Sequence, residues 1–103
     1  MRKLPDNVTL SEAKMAAELD SINAAIDAFA AQMKATMARK VAENRVGWDD
    51  PALLPDIIDN LLAHGIQCPN DHRHAVHVGN FAMMVWYASE GRRQLGKAVA
   101  TTA

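Results

Sequence analysis

The sequence has very little cysteine and no long apolar run, and each shortage excludes a class of protein. Cys68 is the only cysteine among 103 residues, so the chain can form no intrachain disulfide and cannot supply a zinc cluster of several thiolates. The longest apolar run covers residues 81–88 and is far too short to cross a bilayer. We therefore expect a cytoplasmic protein in a reducing compartment, with no membrane partner.

Net charge and aromatic side chains are scarce as well. Eleven Lys and Arg residues against twelve Asp and Glu residues leave a net charge of -1, which gives no general attraction to nucleic acid or to an anionic membrane. Any phosphate contact must therefore be local. The chain has two Trp, one Tyr and two Phe, while alanine and methionine supply much of its hydrophobic fraction. This composition favours packed helices over sheets.

Apolar residues recur every three or four positions in the first half of the chain, which predicts one long helix. Thr9 or Ser11 can cap its start, it would extend to Asn44, and Gly47 would end it. The apolar stripe consists of Met15, Leu19, Ile22, Ile26, Phe29, Met33, Met37 and Val41. Such a helix would be about 50 Å long, too long for a compact domain of this size. We expect it either to break or to pack against a second subunit.

Two shorter helices are predicted in the second half. One covers residues 52–64, with Pro55 in its first turn, and a break at residues 65–69 follows it. Asn70 or Asp71 then caps a third helix, which reaches about Gln94 and contains the Asn80–Trp86 segment. The predicted fold is all-α, a bundle of three main helices completed by homo-oligomerisation. We expect a flexible arm over 1–8, a single domain over 9–95 and a flexible tail over 96–103.

A mixed imidazole and carboxylate pocket is the first candidate site. His74 and His77 are three residues apart and therefore project from one helix face. If the second and third helices pack together, oxygen and nitrogen donors of the second helix would lie beside His74 and His77. These donors are Asp56 with Asn60, or Asp59 and Asn60 with His64. Imidazole ligands favour zinc, manganese, iron or nickel over magnesium. The alternative is that the histidines are solvated or hydrogen-bonded residues of a helix edge.

A phosphate or nucleotide contact is the second candidate. Arg45 could hold a phosphate while the indole of Trp48 stacks on a base. The alternative is a helix-terminal arginine beside a tryptophan that anchors a turn. No residue is identified as catalytic, because the sequence contains neither a glycine-rich phosphate loop nor a serine nucleophile elbow.

Several short motifs resemble those of one family. The residues that carry this resemblance are Phe29 with Met33, Asn44-Arg45, Gly47-Trp48, and Val78 with Asn80-Phe81-Ala82-Met83-Met84. They are similar to the short, often phage-encoded MazG-like nucleoside triphosphate pyrophosphohydrolases, and the similarity covers about residues 25–88. The resemblance implies a helical homodimer or homotetramer in the host cytoplasm. It also implies acidic side chains that bind magnesium and a nucleoside triphosphate, which is cleaved between its α and β phosphates.

The chain departs from that family at the acidic positions. The family's third-helix Glu and Asp fall on His74 and His77, and Gly79 replaces an alanine. The upstream cluster of glutamates is reduced to Asp59, Asn60 and possibly Asp56, with Ala63 or His64 at its last position. A magnesium triphosphate site needs several anionic oxygens, so these replacements should abolish hydrolysis.

Three functions follow from these observations. The favoured one is a non-catalytic homo-oligomer on this scaffold, a binding or regulatory module with a nucleotide or protein partner. The alternative is a metal-dependent pyrophosphohydrolase with a rebuilt site of Asp59, His64, His74 and His77. A plain coiled-coil adaptor rests only on the heptad seam from Leu19 to Met33.

Overall fold

The chain is all-α, as its composition predicts. A computed structural model describes residues 1–96, and in that range it contains helices and no strand. The elements are α1 (Glu12–Ala42), a 3₁₀ turn (Pro51–Leu53), α2 (Leu54–Gln67), α3 (Arg73–Trp86) and a π-helical turn (Tyr87–Gly91). The chain divides into two compact units, residues 1–31 and the residues from Gln32 onward. The prediction of three main helices is therefore confirmed.

The two ends of α1 have identifiable caps. At its start, the Ser11 hydroxyl accepts a hydrogen bond from the Lys14 amide at 3.2 Å, so Ser11 is the cap and Thr9 is not. At its end, the amide of Arg45 donates to the carbonyl of Lys40 at 3.1 Å. Asn44 adopts the left-handed conformation with φ +65° that this type of helix end requires.

The prediction that Gly47 ends the first helix is therefore wrong. Asn44 supplies the left-handed residue three positions earlier, because its short polar side chain tolerates that conformation. Gly47 also has positive φ, at +88°, and it lies in the turn that follows. Between its caps α1 continues for 31 residues without a break.

In the first unit, most of the apolar stripe of α1 is exposed to solvent. Its exposed large side chains are Met15, Leu19, Ile26 and Phe29. Ile22 is half-buried. Residues 1–11 form no helix, and the Val8 amide donates to the Pro5 carbonyl in a turn at 2.9 Å.

In the second unit, α2 and α3 pack as a helical hairpin. Ile57 of α2 and Met84 of α3 are the buried apolar side chains of the described residues. Asn80 is only 1% exposed, and its side-chain amide donates to the backbone carbonyl of Met33 at 3.4 Å. This bond ties α3 to the last part of α1. The buried Thr36 lies on the same part of α1.

The boundaries of α2 and α3 differ from those predicted. Asp50 caps the 3₁₀ turn by accepting from the Ala52 amide at 2.9 Å, and α2 then continues through Gly65 to Gln67 instead of ending at His64. Gly65 costs a helix only about 1 kcal/mol, so one glycine does not end it. Asp71 accepts from the Arg73 amide at 3.0 Å where α3 begins.

The third helix also ends earlier than predicted. Regular α3 stops at Trp86, and the chain then forms the π-helical turn before residues 92–96 become α-helical again. Gly91 is buried, and a Cβ built on it would lie within 2.8 Å of three carbons of the Trp86 ring. The wider π turn brings a glycine against this ring.

Most of the predicted flexible tail, residues 97–103, lies outside the described residues. Of the helices described, none has both the length and the apolar character needed to span a bilayer.

Candidate functional site

A cavity of about 380 Å³ opens in the second unit, where the end of α1, the following turn, α2 and α3 meet. Its size lies in the range of sites for small molecules. Its polar lining consists of Lys40, Arg45, Trp48, Asp56, Asn60 and His64. Its apolar lining includes Met37, Val41, Val46, Leu53, Ile57, Phe81 and Met84.

Two cationic side chains lie on the α1 side of this cavity. Lys40 is half-buried, and its Nζ lies 5.3 Å from the centre of the Phe81 ring. The helix-end motif brings Arg45 back beside Lys40, since the Arg45 amide bonds to the Lys40 carbonyl. Burial lowers the pKa of Lys40, and the charges of Arg45 and Arg39 lower it further. Glu43 raises this pKa, but its effect is the smallest of the four. The positive charge of Lys40 is therefore not fully balanced by its neighbours.

The turn that carries Trp48 contacts Tyr87 of the π-helical turn and Arg92, which follows it. The rings of Trp48 and Tyr87 lie with their centres 4.7 Å apart at an angle of 49°. Arg92 covers the Tyr87 ring at 5.3 Å and donates to the carbonyl of Asp49 at 2.6 Å. Trp48 therefore does anchor its turn, and it also lines the cavity.

Three histidines cluster between α2 and α3. His64 Nδ1 lies 2.7 Å from His74 Nδ1, and the ring of His64 lies 4.8 Å from that of His77. Phe81 stacks on His64 at 5.6 Å. Because two Nδ1 atoms at this distance share one hydrogen, one ring carries it and the other accepts it. His64 is the member of this histidine cluster that also lines the cavity.

The surroundings of the histidine cluster disfavour additional positive charge. Burial lowers the pKa of His77, and the charges of Lys40, His64, His74 and Arg39 lower it further. Burial also lowers the pKa of His64, with His74 and Lys40 contributing. His77 Nδ1 is buried and has no hydrogen-bond partner. Burial and the nearby positive charges therefore favour the neutral forms of His64 and His77.

The structure brings only part of the predicted metal pocket together. His64, His74 and His77 meet, while Asp56 and Asn60 line the cavity next to His64. The Asn60 amide donates to the Asp56 backbone carbonyl at 2.9 Å. Asp59 is exposed and does not line the cavity. Within residues 1–96, no three His, Cys, Asp or Glu side chains are grouped so that they could hold a metal ion.

Magnesium, which the family resemblance implies, does not fit the residues present. Among residues 1–96, Asp56 is the only carboxylate that lines the cavity, whereas magnesium needs an oxygen-rich, largely anionic shell. The charge of Lys40 beside Phe81 and the histidine cluster would also repel a divalent cation. The same charge attracts an anion.

Lys40 is the residue of this site that the sequence reasoning missed. It follows Met37 by three positions and Met33 by seven, so it continues the apolar stripe of α1. A lysine at a position where the helical spacing of an apolar stripe would place another apolar residue indicates a partly buried cation. Arg45 and Trp48 were identified, and the structure places both on the cavity.

Comparison of the chain with protein families, with curated proteins and with solved structures gives no match. Its similarity to the MazG-like pyrophosphohydrolases therefore remains a prediction from the Asn44–Trp48 and Asn80–Met84 segments.

Proposed function

We propose that this chain is a non-catalytic, homo-oligomeric binding module on a MazG-like scaffold, and that its cavity holds a nucleotide through the phosphate groups. One observation carries the proposal: Lys40 and Arg45 line a cavity that has a single carboxylate, Asp56. An imbalance of this kind at a partly buried site selects for an anion.

The phosphate would lie between the two cations. Lys40 offers a compact ammonium group, and Arg45 offers a planar fork of donors that matches two phosphate oxygens. The lowered pKa of Lys40 results from burial and from neighbouring positive charge, and a bound phosphate would relieve the second cause. Glu43 lies 3.6 Å from Arg45 in an exposed ion pair, which is weak enough for a phosphate to replace.

The rest of the cavity suits a ring system. The indole of Trp48 offers a stacking surface, and such stacking contributes about 1–3 kcal/mol per base. Asp56 and Asn60 add hydrogen-bonding groups for the polar edge of a base. A phosphate on one side and a flat heterocycle on the other define a nucleotide.

The small number of possible metal ligands in the cavity also supports a protein that does not hydrolyse its nucleotide. Cleavage between the α and β phosphates needs metal ions that neutralise charge and orient the attacking water. The cavity offers Asp56 alone for that purpose. The alternative is a pyrophosphohydrolase with a rebuilt metal site of Asp59, His64, His74 and His77, although residues 1–96 contain no group of three such side chains placed to hold a metal ion. A measurement of activity separates this alternative from the proposal.

Homo-oligomerisation is part of the proposal because α1 exposes large apolar residues. Leu19 and Ile26 are each 57% exposed in the isolated chain. A contiguous exposed apolar stripe on a helix is typical of a protein interface. Light scattering should give a mass of at least two chains.

Nucleotide binding can be measured by titration calorimetry with ATP in a buffer containing EDTA. Lys40→Gln and Arg45→Gln should each weaken binding by roughly 10-fold to 100-fold, because a charged hydrogen bond contributes about 1.5–3 kcal/mol. Lys34→Gln is the matched control, since Lys34 is an exposed residue of α1 outside the cavity, and it should bind like the wild type. Equal loss in all three variants would contradict a specific site.

Catalysis can be measured by pyrophosphate release from all canonical nucleoside triphosphates, with Mg²⁺, Mn²⁺, Zn²⁺ and Ni²⁺ in separate reactions. We expect no release above the level of a blank. Robust release that His77→Ala abolishes would establish the metal-dependent enzyme instead, and bound metal in protein purified without an affinity tag would support that outcome.

A further inference from the structure

Three polar side chains of α2 form a row along the cavity of the second unit. Asp56, Asn60 and His64 follow one another at spacings of four residues, so they project from one face of α2 on successive turns, and all three line the cavity. This row is about 12 Å long, because a helix rises about 1.5 Å per residue. Its two ends can therefore contact different parts of one bound molecule.

The His64 end of the row lies beside the cations of the cavity. The Phe81 ring stacks on His64 with the ring centres 5.6 Å apart, and Lys40 Nζ lies 5.3 Å from the centre of the same Phe81 ring. Arg45 is next to Lys40, because the Arg45 amide bonds to the Lys40 carbonyl. The phosphate of the proposed function would therefore occupy this end of the cavity.

The Asp56 end of the row lies near the turn that carries Trp48. A Cβ built on Gly47 would lie 3.3 Å from Cδ1 of Leu53, and Leu53 precedes Asp56 by three residues. Trp48 follows Gly47, lines the cavity and is 39% exposed, so part of its indole can stack on a flat ring. The base of a nucleotide would therefore lie at this end.

The side chains of α2 at the base end offer acceptors for hydrogen bonds. The Asp56 carboxylate has two acceptor oxygens and no donor. No lysine, arginine or histidine of residues 1–96 forms an ion pair with this carboxylate. The side-chain amide of Asn60 donates to the Asp56 backbone carbonyl at 2.9 Å, and the Asn60 side-chain oxygen adds a third acceptor. A base that binds here should therefore present donors.

We propose that the cavity selects guanine among the common bases, with the Asp56 carboxylate accepting from the ring N1–H and from the 2-amino group. The Watson–Crick edge of guanine has these two donors side by side, and they match the two oxygens of one carboxylate. Adenine and cytosine place an acceptor ring nitrogen beside their amino group, and uracil places a carbonyl oxygen on each side of its N–H. Each of them would set a lone pair against a carboxylate oxygen. The inference rests on the nucleotide site of the proposed function and names the base.

Titration calorimetry with GTP, ITP and ATP in EDTA measures this selectivity. The wild type should bind GTP about 10-fold to 100-fold more tightly than ATP, because a hydrogen bond to a charged group contributes a factor of that size. ITP differs from GTP only in lacking the 2-amino group, so its affinity should lie between the other two. ATP should still bind, through Lys40 and Arg45.

Asp56→Asn tests the residue itself and keeps the size of the side chain. An amide presents one donor and one acceptor, which matches xanthine, whose C2 carbonyl replaces the amino group of guanine. The variant should lose the preference for GTP over ATP, and it should bind XTP about 10-fold more tightly than GTP. Asp59→Asn is the matched control, because Asp59 is an exposed aspartate of α2 outside the cavity, and it should keep the wild-type order.

Each outcome decides the proposal. Equal binding of GTP and ATP by the wild type, or a preference for ATP, would overturn the selectivity for guanine and leave the nucleotide site standing. Failure to bind any of these nucleotides would overturn the site and this inference with it. Asp56 also lies in the first turn of α2, where the helix dipole favours an acidic residue. A role limited to helix stability would change the affinities for GTP and ATP by the same factor, so an unchanged preference in Asp56→Asn would refute the role of Asp56.

Discussion

Two glycines of the second unit should respond to alanine substitution in opposite directions. Gly65 lies inside α2, and a Cβ added there would meet no atom within 4 Å. Gly65→Ala should therefore raise the free energy of unfolding by about 0.5–1 kcal/mol through helix propensity alone. A Cβ on Gly91 would lie within 2.8 Å of three Trp86 ring carbons, so the ring or the backbone must move.

The magnitude for Gly91→Ala follows from two opposing effects. Helix propensity would stabilise the variant by about 1 kcal/mol. Overpacking costs typically about 1–3 kcal/mol, and we expect it to dominate because Gly91 is buried in the π-helical turn. The net loss should be about 1 kcal/mol, or roughly 4–8 °C in melting temperature for a chain of this size.

Urea denaturation followed by circular dichroism measures both effects. Trp86→Ala is the decisive background, because removal of the ring should convert Gly91→Ala from destabilising to neutral or stabilising. The Trp86 side chain is 47% exposed, so its own truncation should leave the protein folded. If Gly91→Ala stabilised the wild type as much as Gly65→Ala does, the close approach of Gly91 to the ring would be refuted.

The remaining predictions concern the buried polar groups. Asn80→Ala should lower the free energy of unfolding by about 1–3 kcal/mol in urea, because it removes a buried side chain that donates to the Met33 carbonyl. No loss would refute a structural role for this bond. The pKa values of His64 and His77 are lowered, so stability is full above their ordinary value of 6.5 and falls as the pH drops below it, where the unfolded chain takes up protons first. Urea titrations from pH 7.5 to 5 should show this fall, His77→Leu should flatten it, and the exposed control His72→Leu should not.

The periodicity of the sequence was sufficient to predict the three helices. Apolar residues at spacings of three and four predicted α1 and α2, because that spacing places them on one face of a helix. The ends were predicted less well. Gly47 and Gly65 were both expected to end helices, yet Asn44 ends α1 and Gly65 lies within α2. A glycine permits a helix end, but the bonds of the last turn decide where it lies.

The candidate site was predicted in part for a similar reason. Arg45 and Trp48 were visible as a cation and an aromatic ring in a short turn, and both line the cavity. The role of Lys40 was not predicted, because it depends on how far this part of α1 is buried and on the contact with the Phe81 ring. The approach of His64 to the third-helix histidines was expected, but the sequence did not indicate that Lys40 would charge their surroundings.

The central claim is that Lys40 and Arg45 hold a nucleotide phosphate without metal and without hydrolysis. Calorimetric titration of the wild type with ATP in EDTA tests it most directly, followed by recovery and chromatography of the nucleotide after addition of Mg²⁺. We predict saturable binding that is weakened at least 10-fold in Lys40→Gln, with ATP recovered intact. Absence of binding in EDTA together with release of pyrophosphate once Mg²⁺ is added would contradict the account.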